Sequence, residues 1–153
     1  MPNSFHQISI QLVFAVKHRE ALILPTFKDE LYKYITGIFR NKNQKLLAIN
    51  GMPDHLHIFF GMSPEICLSD LIRDVKSDSS LFINEHKLSP VKFYWQEGYG
   101  AFSYSRSQRD RVINYINKQE DHHKRKTFRE EYISFLKKYE IVYDEKYLFN
   151  FLA

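Results

Sequence analysis

Cysteine is all but missing: Cys67 is the only one in 153 residues. No disulfide can therefore form within the chain, and a stapled, secreted fold is excluded, which points to a cytoplasmic setting. Long apolar runs are missing too. No window approaches the ~20 consecutive apolar residues a membrane helix needs, and Met1-Pro2-Asn3-Ser4 lacks a basic stretch leading into an apolar one. No membrane association is expected. There is no internal repeat, no low-complexity segment and no phosphate-binding P-loop, so no nucleotide cofactor is expected. The length suits one domain spanning residues 1–153. What is present is positive charge and a high aromatic content, most of which is expected in the core. A net charge of +4 favours an anionic partner such as nucleic acid, and the 13 Phe and 10 Tyr can stack on unpaired bases as readily as they fill a core.

Periodicity predicts the elements. Ile8, Ile10, Leu12, Phe14 and Val16 alternate with Gln7, Ser9 and Gln11, which reads as a strand over Phe5 to Lys17 with one wet face. After Pro25, Thr26 can cap a helix whose stripe is Phe27, Leu31, Tyr34, Ile35 and Ile38. A strand at Leu46 to Asn50 meets Asn50-Gly51, a hairpin signal, and Pro53 to Phe60 returns antiparallel. Leu68, Leu71, Ile72, Val75 and Phe82 mark a second helix. Phe93-Tyr94-Trp95 reads as a short strand, Ala101 to Tyr104 as the last one, with helices following at Gln108 to His122 and Thr127 to Tyr139. The aromatic tail from Tyr143 to Ala153 reads as a segment docked on the body or on a second subunit. The order strand, helix, strand, strand, helix, strand predicts an α+β, ferredoxin-like (RRM-like) antiparallel sheet with both core helices on one face. C-terminal helices are appended, and the other sheet face is left free.

Two constellations carry chemistry. In the returning strand, His55 and His57 share one face while Leu56, Ile58 and Phe60 share the other. Two neutral imidazoles side by side can converge on a cation, or they can simply hydrogen-bond to backbone. On the Gln108 helix, Tyr115 and Gln119 are four apart and hence neighbours. A tyrosine hydroxyl is a possible nucleophile towards phosphate, and a glutamine carbonyl is a neutral oxygen ligand for a hard cation. Spacing alone favours a tyrosine at the core edge and a solvated amide, since pairs four apart of this kind are common.

Four segments together resemble the HUH-type single-tyrosine transposases of small insertion sequences and their repeat-associated relatives: Gly51 to His57, Leu71 to Lys76, Trp95 to Gly100 and Val112 to Gln119. The resemblance implies that His55, His57 and Gln119 hold a divalent ion, Mg²⁺ or Mn²⁺, and that Tyr115 on the first appended helix attacks DNA. It also implies a homodimer, with composite active sites if the tyrosine helix serves the partner, acting on single-stranded DNA marked by a hairpin. Candidate phosphate contacts are Lys17, Arg19, Arg73, Lys76, Arg111, Lys118, Lys124, Arg125 and Lys126, each of which can equally be a solvated surface cation. His122 and His123 read as polar helix-end residues. Two rivals remain: a ferredoxin-like module that grips single strands without cutting, and a metal-dependent hydrolase using water in place of tyrosine.

Overall fold

The computed structural model describes residues 3–148, apart from the side chain of Tyr147. Four strands, β1 (Ser9–Ala15), β2 (Lys45–Met52), β3 (His55–Gly61) and β4 (Gly100–Tyr104), form one antiparallel sheet in the order β2-β3-β1-β4. Helix α1 (Lys28–Asn41) joins β1 to β2, and α2 (Leu68–Glu85) joins β3 to β4. This is the ferredoxin-like arrangement. Ile10, Leu12 and Phe14 of β1 pair with Phe60, Ile58 and Leu56 of β3, so one sheet face is continuously apolar. Leu31, Ile35 and Phe39 of α1 and Leu71, Ile72 and Val75 of α2 are buried with them, and Phe39 meets Phe60 edge-on at 5.0 Å.

The other face is not free. Helices α3 (Arg109–Asn117), α4 (Gln119–His123) and α5 (Phe128–Lys138) lie over it. Phe102 of β4 stacks on Phe135 of α5 at 5.1 Å, and Ser9 and Gln11, expected to be wet, are buried. α5 starts where the Thr127 hydroxyl accepts the Glu130 amide at 3.1 Å, a helix cap.

Local differences from the sequence reading have physical causes. The hairpin turns at Pro53-Asp54, with Met52 paired to His55, and Gly51 lies inside β2. Glycine is needed there because a Cβ at position 51 would collide with the His55 carbonyl oxygen. Phe93 to Trp95 is not a strand: the Asn84 amide takes both backbone groups of Phe93, leaving one bridge from Trp95 to Val16. Thr26 caps nothing; α1 follows Phe27 without a side-chain cap. The helix expected over Gln108 to His122 breaks at Lys118, because Asn50 Nδ2 donates to the carbonyls of Ile116 (3.0 Å) and Asn117 (3.3 Å) that would otherwise continue it. In the tail Leu148 is buried and Val142 exposed, while Phe149 to Ala153 lie outside the described residues. No helix among the described residues is long and apolar enough to cross a membrane.

Candidate active site

His55 and His57 sit at alternate positions of β3 and so project from the same face, their rings 5.2 Å apart and fully buried. Each is oriented by a neighbour. His55 Nδ1 donates to Asp54 Oδ1 at 2.8 Å, and Arg19 Nη2 holds Asp54 Oδ2 at 2.8 Å. Arg19 reaches it from a backbone in the left-handed region, φ +54°. The His55 ring stacks on Phe128 at 3.8 Å, 2° from parallel. His57 Nδ1 lies 2.9 Å from Gln11 Nε2, and the Tyr104 hydroxyl donates to Gln11 Oε1 at 2.9 Å. With Nδ1 of His55 engaged, its Nε2 faces the cluster.

α5 brings a carboxylate into the same space. Glu131 Oε1 lies 3.0 Å from His57 Nε2, 3.3 Å from His123 Nε2 and 3.7 Å from His55 Nε2. Its Oε2 accepts from the Tyr115 hydroxyl and from Gln119 Nε2 at 3.2 Å. The Gln119 oxygen in turn accepts from His123 Nε2 at 3.1 Å. The chain therefore brings all four sequence-predicted groups, His55, His57, Tyr115 and Gln119, around Glu131 within a single subunit. Two residues of this cluster were missed by the sequence reading. His123 reads in sequence as a polar helix-end residue, and Glu131 carries no local motif, although Phe128, Glu131, Tyr132 and Phe135 have the three- and four-residue spacing of one buried helix face.

The electrostatics follow from burial. It pushes the His55 imidazole down to about 4, against the pull of Asp54. Asp54 itself is driven up by burial but held at about 2 by His55 and Arg19. Burial works to raise the Glu131 carboxyl too, yet His57, His123 and His55 outweigh it and hold it well below the ordinary carboxylate range. Tyr115 goes the other way: burial first, then the charge and hydrogen bond of Glu131, push its phenol above the usual value.

His55 Nε2 has no hydrogen-bond partner although it is fully buried, a situation that costs roughly 1–3 kcal/mol. It points at donors that lie within 4.8 Å of one another, namely the ligand atoms of His55, His57, His123 and Glu131. Imidazole nitrogens oriented by a carboxylate and gathered with an anionic oxygen fit a divalent cation.

Residues 4–119 match the family model described as "Transposase IS200 like". The chain belongs to the IS200-like transposase family. The ISDra2 transposase TnpA of Deinococcus radiodurans is 22% identical over 121 residues, covering 76% of this chain and 86% of its own length. In fold, this IS200-like transposase matches the crystal structure of a candidate transposase from Deinococcus radiodurans R1 with a TM-score of 0.63, at 22% identity over 78% of this chain and 95% of that one. It also matches a REP-associated tyrosine transposase bound to a REP hairpin with a TM-score of 0.61, at 14% identity over 80% and 73% of the two chains.

Of the cations named as phosphate contacts, two line a pocket of about 240 Å³ that opens beside Tyr115 and Glu131: Arg111 and Lys126, joined there by Lys138. Arg19 is instead tied to Asp54. Arg73 pairs with Asp70 and Asp74, and Lys124 lies 3.6 Å from Asp121. Lys76 donates to the carbonyls of Gln96 (2.9 Å) and Gly98 (2.7 Å) in a larger groove, about 610 Å³, between α2 and residues 94–99 of the transposase. Lys17 lies over the Tyr94 ring at 5.3 Å, and Lys118 and Arg125 are exposed.

Proposed function

We propose that this transposase cleaves and rejoins single-stranded DNA at hairpin-marked ends through a covalent tyrosine intermediate. The observation that carries the reading is the meeting of Tyr115 with the His55–His57 pair inside one chain, at a pocket lined by Arg111, Lys126 and Lys138. The hairpin bound to the REP-associated relative supports a hairpin-bearing strand as the substrate class. The Tyr115 oxygen attacks the scissile phosphorus in line, the bond to the 3′ oxygen breaks, and a 5′-phosphotyrosine and a free 3′-hydroxyl result. A 3′-hydroxyl from another strand then attacks the phosphotyrosine, remakes the diester and returns the phenol. Bond energy is conserved throughout, so no nucleotide hydrolysis is required.

His55, His57 and Gln119 are the residues that would hold the Mg²⁺ or Mn²⁺ ion. When bound, such an ion neutralises and aligns the scissile phosphate. Arg111 and Lys126 would steer and fix the flanking phosphates by charge. Because the phenol and the imidazoles meet within one subunit, a homodimer would carry two complete sites rather than two shared ones.

The test is incubation of the protein with a hairpin-bearing single strand and Mn²⁺, followed by a denaturing gel. A protein–DNA adduct is expected from the wild type and none from Tyr115→Phe. Cleavage persisting in that variant would transfer the reading to a water-using hydrolase, and tight binding without any cutting would transfer it to a non-catalytic binding module.

A further inference from the structure

We propose that the DNA-free protein binds its divalent ion in a closed four-donor set, His55, His57, His123 and Glu131, in which Glu131 takes the position a DNA phosphate must later occupy. The inference rests on the metal-assisted reading above: it keeps His55 and His57 and sets His123 and Glu131 in the place of Gln119 until DNA binds. His123 and Glu131 come from beyond residue 119, where the family match ends, on α4 and α5.

Three observations support it. First, the three distances to Glu131 bracket those of a four-coordinate site, and all four donor atoms lie within 4.8 Å of one another, close enough to contract onto one ion. Glu131 Oε1 stands 3.0, 3.3 and 3.7 Å from the Nε2 atoms of His57, His123 and His55. A tetrahedron with metal–ligand bonds of 2.0–2.1 Å has edges of about 3.3–3.4 Å, in the middle of that range. Second, His55 Nε2 is wholly buried with no hydrogen-bond partner, and Asp54 engages its other nitrogen. That is how a histidine is prepared for a metal. Third, the donor chemistry, three imidazoles and one carboxylate, suits a four-coordinate ion of the zinc or cobalt type more than a hard cation seeking six oxygens.

The same carboxylate explains why this state is a resting one. Its second oxygen accepts from the Tyr115 hydroxyl and from the Gln119 amide nitrogen, while the Gln119 oxygen, the expected ligand atom, accepts from His123 Nε2 at 3.1 Å, so the nucleophile and that ligand are both occupied. A phosphodiester carries negative charge and cannot share that space with a buried carboxylate. Strand binding therefore requires Glu131, and with it α5, to give way. Metal uptake in the closed state replaces the Nε2–H contacts of His57 and His123 to oxygen by nitrogen–metal bonds, each imidazole shifting its proton from Nε2 to Nδ1, which for His57 requires the Gln11 amide to turn its oxygen towards the ring.

Cobalt(II) titration of the full-length protein, read by visible absorption, tests this without reference to turnover. The wild type should bind one equivalent with the intense bands of a four-coordinate ion, and adding a single-stranded oligonucleotide should weaken those bands, because a phosphate oxygen replaces Glu131 and the released Gln119 oxygen joins as a further ligand. Glu131→Gln and His123→Ala should each lower cobalt affinity tenfold or more and lose the intensity, and Glu131→Asp should recover part of it. The two sites lie on different helices, so a folding defect in one variant leaves the other informative. If both variants bind cobalt like the wild type while His57→Ala does not, the closed set is wrong and the ion site of the proposed function stands. If the DNA-free wild type takes up no cobalt, the closed set is wrong, and adduct formation with Mn²⁺ decides the proposed function separately.

Discussion

The two faces of the sheet are built from the same strands and are buried to a similar degree, but to opposite ends. On one face, Leu12, Phe14, Leu56, Ile58 and Phe60 are buried with the apolar stripes of α1 and α2, and Trp95 packs edge-on against Phe14 at 4.8 Å. On the other, every second residue of those strands supplies Gln11, His55 and His57, and α3 to α5 close over them with Tyr115, Gln119, His123 and Glu131. The first face is held by area removed from water, at roughly 25 cal/mol per Å². The second exchanges that for a connected set of hydrogen bonds around a buried carboxylate, which is costly if any member is left unsatisfied. One face stabilises the fold, and the other is poised for a ligand.

Substitutions should separate the faces sharply. The largest effect is expected from His57→Ala, which should abolish adduct formation while hairpin binding, measured by fluorescence anisotropy, stays close to wild type because phosphate contacts dominate affinity. A collapse of binding would make His57 a structural residue. Next, Phe60→Ala on the dry face should cost about 3–5 kcal/mol in chemical denaturation, with adduct yield per folded molecule unchanged. If the two variants exchanged phenotypes, the division between faces would be lost.

Acid titration sharpens the comparison from the polar side. His55 is held at about 4 in the fold against an ordinary value of 6.5. Between those values the unfolded chain binds the extra proton and the native one does not, so stability of the metal-free protein should rise with pH from 4 to 6.5. The depressed Glu131 carboxyl acts in the same sense: its stabilisation is present above the ordinary carboxylate value and is lost as pH falls below it. Urea midpoints that stay flat across this window in EDTA would contradict the buried cluster.

How far the two faces were legible in the sequence also differs. The dry face could be read directly, since alternation in β1 and β3 and the stripes of α1 and α2 state which side chains point inward. The polar face was half hidden. His55-Leu56-His57 and Tyr115 to Gln119 stand out locally, but Glu131 is a charged residue on a buried stripe, and charge ordinarily signals solvent. Gln11 misleads in a related way, because a polar residue alternating with apolar ones reads as part of a wet face. The turn was misplaced because Asn50-Gly51 satisfies the hairpin rule, whereas Gly51 is there to let the His55 backbone approach. Nor does a local pattern reveal that Asn50 will break a helix 66 residues away in sequence.

Smaller effects concern the pocket beside Tyr115 and the start of α5. Arg111→Ala or Lys126→Ala should weaken single-strand binding several-fold and reduce the slope of log affinity against log salt by about one; an unchanged slope would remove that residue from the strand's path. Thr127→Ala removes the cap of α5 and should cost about 1 kcal/mol. It should also loosen the helix that carries Glu131, seen as faster amide exchange in α5 than in α2.

The most direct measurement is to map the covalent attachment itself. After reaction with a hairpin-bearing single strand and Mn²⁺, proteolysis and mass spectrometry should find a nucleotide joined through its 5′ phosphate to the peptide containing Tyr115. Attachment at another residue, or cut strands with the Tyr115 peptide unmodified at every time point, would contradict the account.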